Sequence, residues 1–353
     1  EAESLLIVAT AAWRRGQFSA ALEAAQAALE VSRMADDAVC EANSLTTMGI
    51  VHRSRGDLLP ARACYQQALD IRRALGDRRG EAISLIHLAN VLYDEGDYTA
   101  ACDWHKQALD LFRMVGDRRG EAWSLSGLGR FYLICGDYEA ARVYYEEALT
   151  IRRDIGDRRG EAVALSDLGH LLLAMGELET ARAHLEQAVT LARALGARRD
   201  EVYGLAYLGR ALENMGNLGG AQAAYQTALS RCRERGQQAS CVENTASLGR
   251  VALEHGDLEA ARTYVAEVLA YTREHGLAGV ESPFLVYQTC IRILDACGEK
   301  EAARQMLETA YGELLERMER IADPQLQRSF LERVPEHREI VAAWREAGGE
   351  ADF

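Results

Sequence analysis

Apolar positions along the chain recur with a helical period. Leu125, Leu128, Gly129 and Tyr132 fall on one face of a first helix, and Ala141, Tyr145 and Ala148 on one face of a second. The pattern returns every forty residues. Glycines stand at 16, 56, 96, 136, 176, 216 and 256, and a second series at 76, 116, 156, 196, 236 and 276 lies midway between them. Each glycine suits a helix end, where a left-handed residue is needed. Asp57, Asp97, Asp137, Asn217 and Asp257 follow the first series as helix starters, able to accept from unpaired amides. The second series reads GDRRGEA at Gly76–Ala82, Gly116–Ala122 and Gly156–Ala162, and decays to GARRDEV at Gly196–Val202. Glu81, Glu121 and Glu161 then put negative charge in the positive first turn of the next helix.

The pattern predicts an all-α chain of antiparallel helix pairs, each helix roughly 14–18 residues long. One pair cannot bury its apolar face alone, so neighbours must stack on it. The prolines agree. Pro60 falls in a first helical turn, Pro283 and Pro324 follow Ser282 and Asp323, and Pro335 opens a short terminal helix. The units run near 2–41, 42–81, 82–121, 122–161, 162–201, 202–241, 242–281 and 284–322, with residues 323–353 as capping helices and tail.

Charge narrows the function. The formal net charge of −14 and the pI near 5.2 argue against a chain that holds nucleic acid through phosphates. Lys106 and Lys300 are the only lysines, so positive charge is almost all Arg. Apolar runs such as Ser4–Trp13 are too short to span a bilayer. Eight scattered cysteines without a CxxC pair read as small hydrophobes in a reducing compartment, which points to the cytoplasm.

No catalytic arrangement is legible. The chain has no GxxxxGK[ST] loop, no GxGxxG after a strand and no HExxH, so no enzyme activity, cofactor or metal site is expected. His170 and His184 lie in different helices of one unit and lack further ligands.

The columns Leu128, Gly129, Tyr132, Gly136, Asp137, Tyr138, Ala141, Tyr145 and Ala148 resemble the tetratricopeptide repeat (TPR) pattern. The same columns hold Leu168, Gly169, Gly176, Ala181 and Ala188, then Leu208, Gly209, Gly216, Ala221, Tyr225 and Ala228. The resemblance implies a right-handed superhelical solenoid of about eight helix-turn-helix units plus C-terminal capping helices. The period exceeds the family's usual 34 residues, and Arg73, Arg113 and Arg153 stand where the family carries Pro. The segment Glu319–Trp344 resembles the tail of the TPR sensors in bacterial STAND NTPases of the MalT-like and AfsR-like kind. That likeness implies an N-terminal NTPase core outside this chain. The uncapped apolar run Ser4–Trp13 carries the same expectation of a preceding domain, through which the protein would oligomerise.

The resemblance also implies that first helices line a concave groove. Its variable columns hold Asn43, Arg53, Asn90, Tyr93, Trp123, Arg130, His170, Tyr203, Arg210, Glu213 and Arg250. Columns that repeat report stacking, whereas these change from unit to unit. Arg130, Arg210 and Arg250 share one column with Asn90 and His170, a row suited to an acidic protein or peptide partner. Alanine at Arg130 and Arg210 is then expected to abolish binding with little loss of stability. The apolar members Ile50, Ile83, Trp123 and Leu133 have an alternative role, packing between units.

The repeated pairs Arg78–Arg79, Arg118–Arg119, Arg158–Arg159 and Arg198–Arg199 have two readings, an anionic-ligand strip or pairing with Glu81, Glu121 and Glu161. The second is preferred, because identical sequence in every unit suits a repeated structural contact. The leading functional expectation is a non-catalytic protein- or peptide-binding sensor, the recognition part of a STAND-type signalling or defence protein. The alternative is a constitutive scaffold of the Pins/LGN type, with no nucleic acid or membrane partner in either case.

Overall fold

The computed structural model describes residues 1–234, 238–277 and 279–349. Gly236 and residues 350–353 of the expected tail lie outside the described residues. Among those described there are eighteen helices and no strand. Eight hairpins come first: α1 (Ala2–Arg14) with α2 (Phe18–Met34), α3 (Ala38–Arg55) with α4 (Leu58–Ala74), α5 (Arg78–Glu95) with α6 (Tyr98–Val115), and α7 (Arg118–Ile134) with α8 (Tyr138–Asp154). They continue as α9 (Arg158–Ala174) with α10 (Leu178–Ala194), α11 (Arg198–Asn214) with α12 (Leu218–Glu234), α13 (Gln238–Glu254) with α14 (Leu258–His275), and α15 (Pro283–Ala296) with α16 (Lys300–Glu319). Two short helices, α17 (Pro324–Glu332) and α18 (Pro335–Glu346), end the chain. The hairpins open at Ala38, Arg78 and Arg118, about four residues before the expected 42, 82 and 122. The reason is local: the Asp of GDRRGEA is the N-cap, so the two arginines form the first turn. Asp77 accepts from the Gly80 amide at 2.9 Å, and Asp117 and Asp157 do the same for Gly120 and Gly160.

The described residues divide into two compact units, one of residues 1–127 and one of residues 128–234 with 238–349, the division falling inside α7. The first holds a core around Tyr65, Leu85, Ile86, Leu88 and Phe112, against which Ile50 and Ile83 pack. The second holds Leu133, Tyr145, Leu165 and Leu171, and further on Tyr225, Leu229 and Leu248. Ile50, Ile83 and Leu133 thus take the packing role.

The glycines of the two series sit in the left-handed region, as at Gly96 (φ 81°) and Gly116 (φ 73°). One expected cap is different: Asp57 makes no side-chain cap bond, because its carboxylate faces Arg55 at 3.2 Å and His52 at 3.4 Å. Other glycines are needed for space. A Cβ on Gly129 would stand 2.7 Å from the Tyr145 ring, and one on Gly209 2.6 Å from Tyr225. In GDRRGEA the second glycine does the same, since a Cβ on Gly120 would stand 2.2 Å from the Phe112 ring, itself fully buried. Gly120→Ala is therefore expected to lower the urea midpoint by an amount worth about 1–3 kcal/mol with an unchanged slope. An unaltered midpoint would contradict this packing.

Three of the arginine pairs make structural contacts. Glu81 accepts from Arg73 (2.9 Å) and Arg78 (3.0 Å), Glu121 from Arg113 and Arg118, and Glu161 from Arg153 and Arg158. The second arginine of a pair reaches the next hairpin: Arg79 to Asp117 at 2.6 Å and Arg159 to Asp200 at 2.7 Å. Arg73, Arg113 and Arg153 thus clamp the following helix start, where the family's Pro would only stop a helix. Arg72 and Arg152 went unremarked in the sequence, yet both are buried and donate to the Gly80 and Gly160 carbonyls.

Candidate functional site

In the first unit the variable column does not form a free binding row. Asn43 is exposed and its Oδ1 accepts from Arg72 at 3.1 Å. Arg53 donates twice to Asp94, at 2.6 and 3.1 Å, and Asn90 is half-buried on α5. Tyr93 is a correction: its ring is 3% exposed, packed by Tyr98 and His105, and its hydroxyl donates to the Gly127 carbonyl at 2.7 Å. A side chain so enclosed has no surface left for a partner. Trp123 keeps 38% of its surface exposed, edge-on to His87.

In the second unit α7, α9, α11 and α13 present the rest of the column on one side, here called the inner face. Each arginine there is met by a carboxylate of the same chain. Arg130 pairs with Glu281 at 3.1 Å, Arg210 with Glu336, and Arg250 with Glu213 at 2.5 Å. The Arg250 and Glu213 side chains are only 9% and 10% exposed. This corrects the expectation of an open cationic row for Arg130, Arg210 and Arg250. A guanidinium this far from water needs an anion, and the fold supplies one at each step. Alanine at Arg130 and Arg210 would strand Glu281 and Glu336, so it costs stability as well.

The neighbouring aromatic residues complete the face. Tyr203 donates to the same Glu281 at 3.2 Å, and His170 stacks on Tyr207 with ring centres 4.2 Å apart. Burial first, then the Arg210 charge, pushes His170 down to about 3, so it is neutral at pH 7. His184 is half-buried and its Nδ1 bonds the Thr180 carbonyl of its own helix, away from the ring stack of His170.

Between α11, α13 and the turn before α15 lies a small cavity of about 50 Å³, walled by Tyr203, Tyr207, Arg210, Glu243, Asn244 and Glu281. Asn244 is 1% exposed; its amide donates to the Ser240 carbonyl at 2.7 Å, while its Oδ1 has no protein partner. A buried acceptor left open at a pocket wall is a point of attachment for a donor from outside. Glu243 accepts from the Ser282 amide at 2.6 Å, and burial with the nearby Glu281 charge pushes it up to about 8. At neutral pH the pocket therefore carries a protonated carboxyl. Glu243 falls in the variable columns of the sequence, whereas Asn244, Tyr207, Glu281 and Glu336 were not chosen from it. Asn244 could have been, since it sits on α13 beside that column; Glu336 could not, because it lies outside the repeat register.

No three His, Cys, Asp or Glu side chains gather as a metal site among the described residues. All eight cysteines are free thiols. Among the described residues no helix is long and apolar enough to cross a membrane.

No curated protein matches the chain in sequence. Solved structures share its fold. One is a Rap protein complexed with Competence and Sporulation Factor, 15% identical, with a TM-score of 0.59 over 98% of this chain and 99% of that one. Another is the Rap conjugation gene regulator of the plasmid pLS20 with a Phr peptide, 14% identical, with a TM-score of 0.64 over 93% and 96%. A third is a signal transduction ATPase with numerous domains (STAND) and a tetratricopeptide repeat sensor, from Pyrococcus horikoshii. It is 15% identical, with a TM-score of 0.53 over 94% of this chain and 50% of that one. Tetratricopeptide repeat models match residues 1–74, 80–154 and 121–194, and a second such model matches 208–275. With more than half of its length matched and helical hairpins throughout, the chain belongs to the tetratricopeptide repeat family.

Proposed function

We propose that this chain is a non-catalytic module that binds a protein or peptide on the inner face of residues 128–349, as the recognition part of a STAND-type signalling protein. The observation that carries the reading is the pocket between α11 and α13, where a buried acceptor, Asn244 Oδ1, stands open beside Tyr203, Tyr207 and Glu243. Helical repeats present extended faces for partners of this kind. Of the Rap structures of this fold, one is complexed with Competence and Sporulation Factor and one with a Phr peptide, and the Pyrococcus horikoshii protein carries a tetratricopeptide repeat sensor. Both facts support a ligand-recognition role.

The test fills the pocket. Ala206 lines it from α11, and Gln226 is exposed on α12, a second helix. Ala206→Trp is expected to weaken capture of the partner from host lysate at least tenfold, whereas Gln226→Trp leaves capture unchanged. Equal capture by both variants would move the ligand off this face.

A further inference from the structure

The last two helices do more than close the end of the array. Capping needs only the contacts that α17 and α18 make with α15 and α16. Those are supplied by Phe330, fully buried, with His337 set against Phe330 and Phe284 at ring distances of 4.2 and 4.6 Å. Trp344 adds a stack on Tyr311 at 4.7 Å. Yet the pair also reaches far upstream. The Tyr138 hydroxyl donates to the Arg333 carbonyl at 3.1 Å, across 195 positions of sequence. A Cβ on Gly136 would stand 2.9 Å from the Ser329 carbonyl, so the backbones are in close contact there. Glu336, in the first turn of α18, takes Arg210, across 126 positions.

These contacts put a helix of the chain on the face just assigned to a partner. Arg210 is 18% and Glu336 12% exposed at the side chain. If α18 left and nothing anionic replaced Glu336, a guanidinium would remain unpaired in a poorly solvated setting. A neutral occupant is therefore penalised, and an acidic one is not. The tether works in the other direction. A segment held on its own chain acts at millimolar effective concentration, on the order expected for short linkers.

We infer that α17–α18 is an internal ligand of the inner face, and that the external partner is a helix-forming segment that brings a carboxylate to Arg210 in place of Glu336. The inference rests on the reading of that face as the binding surface. It adds a competition: partner binding and release of α18 are the same event.

The test uses the full chain and a fluorescein-labelled peptide of residues 323–346. Anisotropy is expected to report binding to the Glu336→Gln chain at least tenfold tighter than to wild type. Adding Arg210→Met to that chain is expected to remove the gain, as is Gln in place of Glu in the peptide. Hydrogen exchange over residues 324–346 checks that α18 has been released. Should it stay docked, Phe330→Ala is added, and a hairpin that remains protected in both variants overturns the inference. Equal binding to wild type and variant overturns it too, as does no binding once release is seen. The failure of the underlying reading looks different: capture of the host partner would then be indifferent to Ala206→Trp, whatever the peptide does.

Discussion

Replacing Arg250 with alanine is expected to cost residues 128–349 about 3–5 kcal/mol of stability. Its guanidinium donates to both oxygens of Glu213, at 2.5 and 2.8 Å, and to the Thr289 hydroxyl at 3.0 Å. The Tyr225 hydroxyl donates to the same carboxylate at 2.8 Å. With both ion-pair side chains about nine-tenths buried, removing the cation leaves Glu213 charged, desolvated and held by one phenol. The pair as a whole is a different matter. Its Coulombic gain is offset by the desolvation of both ions, so Arg250→Met with Glu213→Leu is expected to recover most of the loss. Urea unfolding of the two single variants and the double variant measures all three. A loss below about 0.5 kcal/mol for Arg250→Ala would mean that water reaches the pair, and the closed character of the inner face would be wrong.

The second large effect is acid release of α18. Burial alone would raise the Glu336 carboxyl; Arg210, together with the backbone amide at the helix start, outweighs it and holds the group at about 2 against an ordinary 4.5. A depressed folded value makes the contribution to stability complete above the unfolded value and lost as the pH falls toward the folded one. The window is therefore pH 4.5 down to about 2, and the contribution is roughly 3 kcal/mol. His337 opposes nothing at neutral pH. Burial pushes it down to about 4 against an ordinary 6.5, so its own cost to the docked state accrues earlier, as the pH falls from 6.5 to about 4. Trp344, stacked on Tyr311, reports the docking of α18. Its fluorescence is expected to change across this window in wild type and to have already shifted at pH 6 in Glu336→Gln. A variant that follows the wild-type curve would remove Glu336 from the latch.

The fold was legible because its causes are local and repeated. Gly at most helix ends, Asp at many helix starts and Leu-Gly against Tyr, as at Gly129 and Tyr145, state a hairpin within forty residues. The arginine ladder was legible for the same reason, since a contact made in every unit leaves the same letters in every unit. The site was legible only in part. The column of Arg130, Arg210 and Arg250 was found, and its chemistry, a guanidinium meeting a carboxylate, was named. The source of the carboxylates was not. Glu281 keeps the forty-residue column of Glu81, Glu121 and Glu161, whose partners are local, so its reach to Arg130 across 151 positions is not written in that column. Glu336 lies 126 residues from Arg210, in a tail with no repeat to compare. Periodicity says which side of a helix faces inward, but not what arrives there from elsewhere in the chain. Tyr93 is enclosed by Tyr98, which keeps the Gly-Asp-Tyr column of the repeat, and by His105, which departs from the column of Tyr65, Tyr145 and Tyr225.

The most direct measurement is hydrogen exchange on the full chain with and without its captured partner. The account predicts faster exchange over α17 and α18 when the partner binds, with new protection confined to α9, α11 and α13. Protection confined to α10, α12 and α14, with α17 and α18 unchanged, would put the partner on the opposite side and contradict the account.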